Sequence, residues 1–282
     1  MRIALIGAGR LAAHLALALQ AIGRSPIALG ARDAARAASL ARALGLPVSE
    51  PAQAMQGADW VFLCVRDEAI APLAASLPWQ GQLALHTSGA TSLEALAPAQ
   101  RRAGFHPLQL FANPLPSAAA AKASFQQVRV GIEAQAADYE ALAELAQALG
   151  AVPLALPGAA RVRYHAAANL SASALFAPLQ LAAKVWSEAL GQSEQEAWLA
   201  LQPLAQGALQ AALERGLAGA LSGPMARGDA AVLRSHLQAL DSDAVPLYRA
   251  LMQALLPLAE AGGRLDEAQL QALRQALESP RS

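Results

Sequence analysis

The sequence predicts two joined folds: an α/β N-terminal domain on a mostly parallel, doubly wound sheet, and an all-α C-terminal domain. Three observations lead there. From Met1 to about Leu156, short apolar runs alternate with amphipathic stretches, the rhythm of strands and helices in turn. After Pro157 and Gly158 the strand signals stop, and Ala-, Leu- and Gln-rich segments of helical spacing run on. The 282 residues suffice for two domains, and a 55% hydrophobic content with only 4% aromatics is mostly Ala and Leu, residues that favour helices. The domains are therefore set at 1–157 and 158–282.

Taken in order, strands are expected at 3–6, 27–29, 60–65, 83–86, 128–132 and 152–156, with helices between them. Asp33 suits the N-cap of a helix from Ala34, and Ser88 or Thr91, the latter with Glu94 at capping-box spacing, suits the cap of a helix over "SLEAL". The Ala- and Pro-rich stretch 112–123 reads as an extended connection. In the second half, helices are expected at 161–190, 194–220, 230–240, 244–261 and 266–278, with breaks near Gly191, Gly223-Pro224 and Gly262-Gly263. Asp229 caps the helix that follows it. His14 and His236 fall on amphipathic helices as surface or packing residues.

A net charge of zero and a charged fraction of 15% argue against nucleic acid or an anionic membrane as partner. No run of about 20 uninterrupted apolar residues marks a membrane span, and "RIALIGAG" directly after Met1 lacks the pattern of a secretory signal, so a cytoplasmic location is expected. The single Cys64, in "WVFLCV", reads as a core residue. No Cys/His cluster or paired-carboxylate spacing suggests a metal.

Chemistry begins at "IALIGAGRLAAHLALAL". An apolar strand runs into Gly7-Ala8-Gly9-Arg10-Leu11-Ala12 and then a helix, the context that gives a glycine turn its meaning. Gly7 permits the tight turn, Gly9 lets backbone approach a pyrophosphate, and Ala12 is small enough for helix to pack on strand. Helix N-H groups and the helix dipole then hold the anion. After the second strand, "IALGARD" offers Arg32 where an NAD-selective protein places an acidic residue, so the planar guanidinium suits a 2'-phosphate and NADP is preferred, with NAD possible. Asp33 competes as a ribose contact but also fits the helix cap. Val65, Thr87 and Ser88, at the ends of later strands, complete the expected cofactor contacts.

The motifs "GAGRLA", "HTSGA", "GFHPLQLF", "RYHAAANLSASAL" and "LSGPMARGD", in this order, resemble a family of Rossmann-like proteins with a helical C-terminal domain of unknown function. These are described as NADP-dependent or deazaflavin-linked oxidoreductases. The chain is more distantly similar to pyrroline-5-carboxylate reductase, ketopantoate reductase and the 3-hydroxyacid dehydrogenases. The resemblance covers nearly the whole chain and implies a dinucleotide domain followed by a helical domain that closes the active site and forms a homodimer.

In doubly wound sheets ligands bind beyond the carboxyl ends of the strands, which is where His86-Thr87-Ser88-Gly89 would lie. Pro107 biases His106 toward extended backbone, and a similar His-Pro element lies near the active site of prephenate dehydrogenases. His165, Asn169 and Ser173 are spaced i, i+4, i+8 and are expected on one helical face. In ketopantoate reductases and hydroxyacid dehydrogenases the corresponding helix carries Lys and Asn, and here His165 stands for the Lys. His165 is therefore the first candidate proton donor, with His106 the other, and Asn169 and Ser88 orient substrate. Arg227 is a candidate for a substrate anion. The reading is an NADP-dependent oxidoreductase acting on a small carbonyl or imine; the rival is a non-catalytic NADP-binding sensor or scaffold.

Overall fold

Ile3–Ile6 (β1), four consecutive buried residues, sits inside an eight-stranded sheet in the computed structural model, which describes residues 1–111 and 115–278. The chain continues through α1 (Arg10–Ala21), β2 (Ala28–Gly30), α2 (Ala34–Leu44), β3 (Val48–Ser49), α3 (Pro51–Ala54), β4 (Trp60–Leu63), α4 (Asp67–Ser76) and β5 (Leu83–His86). A 3-10 turn at Leu93–Leu96 leads to β6 (Arg101–Pro107), α5 (Ala118–Ala123), β7 (Arg129–Glu133), α6 (Ala136–Ala148), β8 (Val152–Ala155) and α7 (Arg161–Leu170). The strand order is 3-2-1-4-5-6-7-8, and every pair is parallel except β6 with β7. The order reverses beside β1, the switch point at which such sheets open a crevice.

The central strands are buried on both faces, which is why they read as unbroken apolar runs. Alternate residues serve different layers. Ile3, Leu5, Phe62, Leu83, Leu85 and Phe105 join α1, α2 and α6 on one side, with Phe62 and Phe105 edge to face at 5.7 Å. Ala4, Ile6, Val61, Leu63 and Ala84 pack with Ile70 and Ala74 of α4 on the other.

Several expectations are corrected. β3 and β6 were not expected: β3 has two residues, and "RRAGFHP" carries two arginines, a glycine and a proline that hide a strand. The 3-10 turn is capped by Ser92, whose hydroxyl accepts from the Glu94 amide, not by Ser88 or Thr91. Part of the stretch 112–123 lies outside the described residues. Its end, Ala118–Ala123, is a helix capped by Ser117, not an extended connection. The helix expected at 161–190 is broken after Leu170, where Ala172 has φ −125° and ψ −92°. Ser173 therefore does not continue the face of His165 and Asn169.

By backbone contacts the chain divides into units Met1–Leu170 and Ser171–Ser282, so α7 groups with the sheet, one helix later than the boundary read from sequence. The second unit has a 3-10 turn, Ser173–Leu175, then α8 (Phe176–Leu190), α9 (Glu194–Ala220), α10 (Gly223–Arg227), α11 (Ala230–Ala239), α12 (Val245–Ala261) and α13 (Glu267–Glu278). Met225, Leu233, Leu237, Leu273 and Leu277 form its core. Asp229 caps α11 through the Val232 amide, and Ser193 with Glu196 closes a capping box on α9. Ala197 is the buried residue of α9; Leu204, Leu209, Leu213 and Leu217 are exposed, and Gly216 kinks the helix at φ 71°. By length and composition Gly158–Leu190 is apolar enough to cross a membrane, but that run is the one interrupted at Ala172.

Candidate functional site

The glycine turn is built as its chemistry requires. Gly7 has φ +120° and donates its N-H to the Gly30 carbonyl at 2.8 Å; a Cβ there would lie 2.2 Å from the Cys64 carbonyl oxygen. Gly9 is the N-cap of α1 with no side-chain cap, and a Cβ on it would meet nothing within 4 Å. The first-turn amides of α1, from Arg10 and Leu11 on, thus stand at an uncovered helix N-terminus, which suits a pyrophosphate. Ala8 is half-buried, and Val65 Cγ1 lies 3.4 Å from the Gly7 Cβ position, placing Val65 beside the turn. Past the end of β2, Arg32 is exposed, while Asp33 accepts from the Arg36 amide at 3.0 Å and caps α2. Asp33 is thereby engaged as a cap, and Arg32 is left exposed beside it.

At the end of β5 three elements converge. Arg161, 1% exposed, lies at the start of α7, donates from Nε and Nη2 to Glu133 Oε2 of β7 at 2.8 and 2.6 Å, and from Nη1 to the Ser88 carbonyl at 3.0 Å. One turn on, Tyr164 Oη is 2.9 Å from His106 Nδ1. His165 sits edge-on to His106 with ring centroids 6.1 Å apart.

The close approach of α7 depends on three glycines. A Cβ on Gly104 would lie 2.6 Å from Arg161 Nη2, one on Gly131 3.0 Å from Tyr164 Oη, and one on Gly89 2.5 Å from His165 Nδ1 and 2.9 Å from His106 Nε2. None of the three has a positive φ, so space and not backbone conformation demands glycine.

The charges follow from this packing. Burial, reinforced by His165 and Arg161 and opposed by Asp67, lowers the His106 pKa to about 4. His86, wholly buried, is likewise lowered to about 4 by burial and Arg161. Burial raises the Tyr164 phenol, and drives the Cys64 thiol to about 12. His86 Nδ1 and Nε2 and His165 Nδ1 are buried without a hydrogen-bond partner among the described residues.

The expected residues divide. Gly89, His106 and His165 come together. Asn169 is exposed one turn beyond His165 on α7. Ser88 is corrected: its hydroxyl donates to Asp67 Oδ2 at 2.8 Å and accepts from the Ala90 and Thr91 amides at 3.1 and 2.9 Å, so it is used up in the turn and not free to orient substrate. Thr87 is buried. Ser173 and the exposed Arg227, at the end of α10, belong to the helical unit. Arg161, Glu133 and the role of Tyr164 were missed. The available signal was Gly104 and Gly131 inside strands, a mark of close approach by other backbone or side chains.

Fold and glycine turn define a class: a Rossmann-like α/β domain joined to a helical domain. Residues 2–88 match the family described as NADP oxidoreductase, coenzyme F420-dependent, and residues 128–255 match a domain of unknown function, DUF2520; the chain joins these two domains. Among solved structures it is similar to a Thermotoga maritima protein (TM-score 0.73, 23% identity, 93% of this chain and 100% of that one). A Bacteroides fragilis protein provisionally described as an NADP oxidoreductase gives a TM-score of 0.68 at 23% identity over 93% and 97% of the two chains. A pyrroline-5-carboxylate reductase from Coxiella burnetii gives 0.53 at 18% identity over 98% and 96%. At these identities the likeness is one of fold. No curated protein matches the chain in sequence.

Proposed function

We propose that this chain is an NADP(H)-dependent oxidoreductase acting on a small carbonyl or imine substrate. The observation that carries the reading is the convergence of His106 and His165 on Gly89, just beyond β5, in the same unit as the bare glycine turn. The turn from Gly7 through Ala8 and Gly9 to Arg10 and Leu11 binds the pyrophosphate, Val65 lines it, and Arg32 takes the 2'-phosphate. The cofactor supplies or accepts a hydride. The substrate's heteroatom then gains or loses a proton, and the two imidazoles stand where that proton is handled. Asn169, one turn from His165, orients the substrate.

Turnover of NADPH across a panel of 2-oxo acids, ketones and cyclic imines tests this. His165→Ala is expected to lose turnover and keep cofactor affinity. Tight NADPH binding without turnover of any compound would instead support a sensor. We also infer that a second copy of the chain covers α9, where Leu204, Leu209, Leu213 and Leu217 are exposed.

A further inference from the structure

We propose, resting on the oxidoreductase reading, that Arg161 is the positioning residue of this site: its guanidinium fixes the peptide between Ser88 and Gly89, seats α7 on the sheet, and stands as a buried positive charge beside His86 and His106. Arg161 is 1% exposed and donates to Glu133 Oε2 at 2.8 and 2.6 Å and to the Ser88 carbonyl at 3.0 Å. The carboxylate is boxed in as well: a Cβ on Gly158, just ahead of α7, would lie 2.5 Å from Glu133 Oε1. Gly104 gives the fork its space, since a Cβ there would lie 2.6 Å from Nη2.

Both sides of the histidine pair hang from this one group. The Ser88-Gly89 peptide carries the glycine against which His165 and His106 pack, and α7, whose first residue is Arg161, carries Tyr164 and His165. Stability alone does not call for such a device, because a buried ion pair replaced by well-packed neutral groups of similar volume often leaves a protein as stable or more so. What the planar fork adds is direction: its bonds hold β7, α7 and the turn after β5 in one orientation, which apolar packing does not do.

The charge acts on the imidazoles directly. The titratable and charged groups around His106 are His165, Tyr164 and Arg161 on α7, Asp67 on α4, His86 on β5 and, bonded to Arg161, Glu133 on β7. Burial, His165 and Arg161 outweigh Asp67 and hold the ring neutral down to about pH 4. In the oxidative direction an alcohol or amine loses its C-H electron pair as hydride to the nicotinamide, C=O or C=N forms, and the O-H or N-H proton goes to a base. A neutral imidazole can take that proton and an imidazolium cannot. Arg161 thereby keeps His106 competent as a base in mildly acid solution.

Arg161→Gln combined with Glu133→Gln tests this, because paired amides remove the charge without leaving a lone carboxylate. The readouts are NMR titration of the His106 ring and oxidation by NADP+ of the alcohol or amine that corresponds to whichever compound is turned over. In the double variant the ring is expected to titrate at higher pH than in wild type, and the ratio of variant to wild-type kcat/KM to fall by about tenfold per pH unit below that new value. Arg161→Lys keeps the charge and loses the fork. It is expected to keep the wild-type ring titration and pH profile, with kcat roughly tenfold lower and NADPH affinity unchanged. An unmoved ring in the double variant, a ring that moves without the pH profile, or a wild-type kcat in Arg161→Lys overturns the proposal and spares the oxidoreductase reading. Absence of turnover with every compound overturns both.

Discussion

His86 closes β5 with its ring entirely inside the protein and both nitrogens without partners among the described residues. Its pKa is held at about 4 by burial and by Arg161, with His106 adding and Asp67 opposing. As pH falls below the ordinary value of 6.5, the unfolded chain takes up a proton that the folded chain refuses until about 4. Stability is therefore lost across that window and levels off beneath it, the direction required when the folded pKa is the lower one. The gap corresponds to roughly 3 kcal/mol. His86→Leu removes the titration together with the two unpartnered nitrogens, and is expected to be neutral or stabilising near pH 7. The measurement is urea denaturation of wild type and variant at neutral pH and at about pH 4. The variant should keep roughly 3 kcal/mol that the wild type loses. Superimposable acid limbs for the two proteins, or a His86 ring that titrates near 6.5 by NMR, would refute the reasoning.

Arg32→Ala is expected to weaken NADPH binding by about tenfold or more and leave NADH unchanged, since a charge-assisted bond to the 2'-phosphate contributes about 1.5–3 kcal/mol; calorimetry with both nucleotides checks it. Glu133→Gln strips Arg161 of its counter-charge. Glu133 is 21% exposed, so the loss sits near the low end for buried pairs, about 3 kcal/mol, and an unchanged melting temperature would contradict it. Cys64, with its thiol pushed to about 12, should resist a thiol reagent in the folded protein and react once in denaturant; rapid labelling of the native chain counts against this. Leu213→Glu, at a side chain 75% exposed, should turn a dimer into a monomer in light scattering, and a monomeric wild type would remove the inferred second copy.

The parts legible in the sequence are those governed by local chemistry. The strand ending at His86, the turn from Gly7 to Ala12 and the cap at Asp33 each follow from a few adjacent residues. In the helical unit the expected bounds agree to within a residue for α9, α11, α12 and α13, because Gly, Pro and capping Asp or Ser punctuate that half. What remained hidden depends on contacts between distant segments. Arg161 reads as a surface charge on a helix, and nothing near it in sequence announces Glu133, 28 residues earlier. The strand β6 lacks apolar alternation and exists because β5 and β7 pair with it on either side. Ser88 was misread because its hydroxyl partners include Asp67, 21 residues away.

The three glycines beneath α7 seat that helix by leaving out atoms. This makes the candidate-site end of the sheet adjustable by carpentry: a methyl group added at 131 would press on Tyr164, one at 104 on Arg161, and one at 89 on both imidazoles. A designer who wants to alter the reach of one side chain has three separate shims, each at a backbone whose φ does not itself demand glycine.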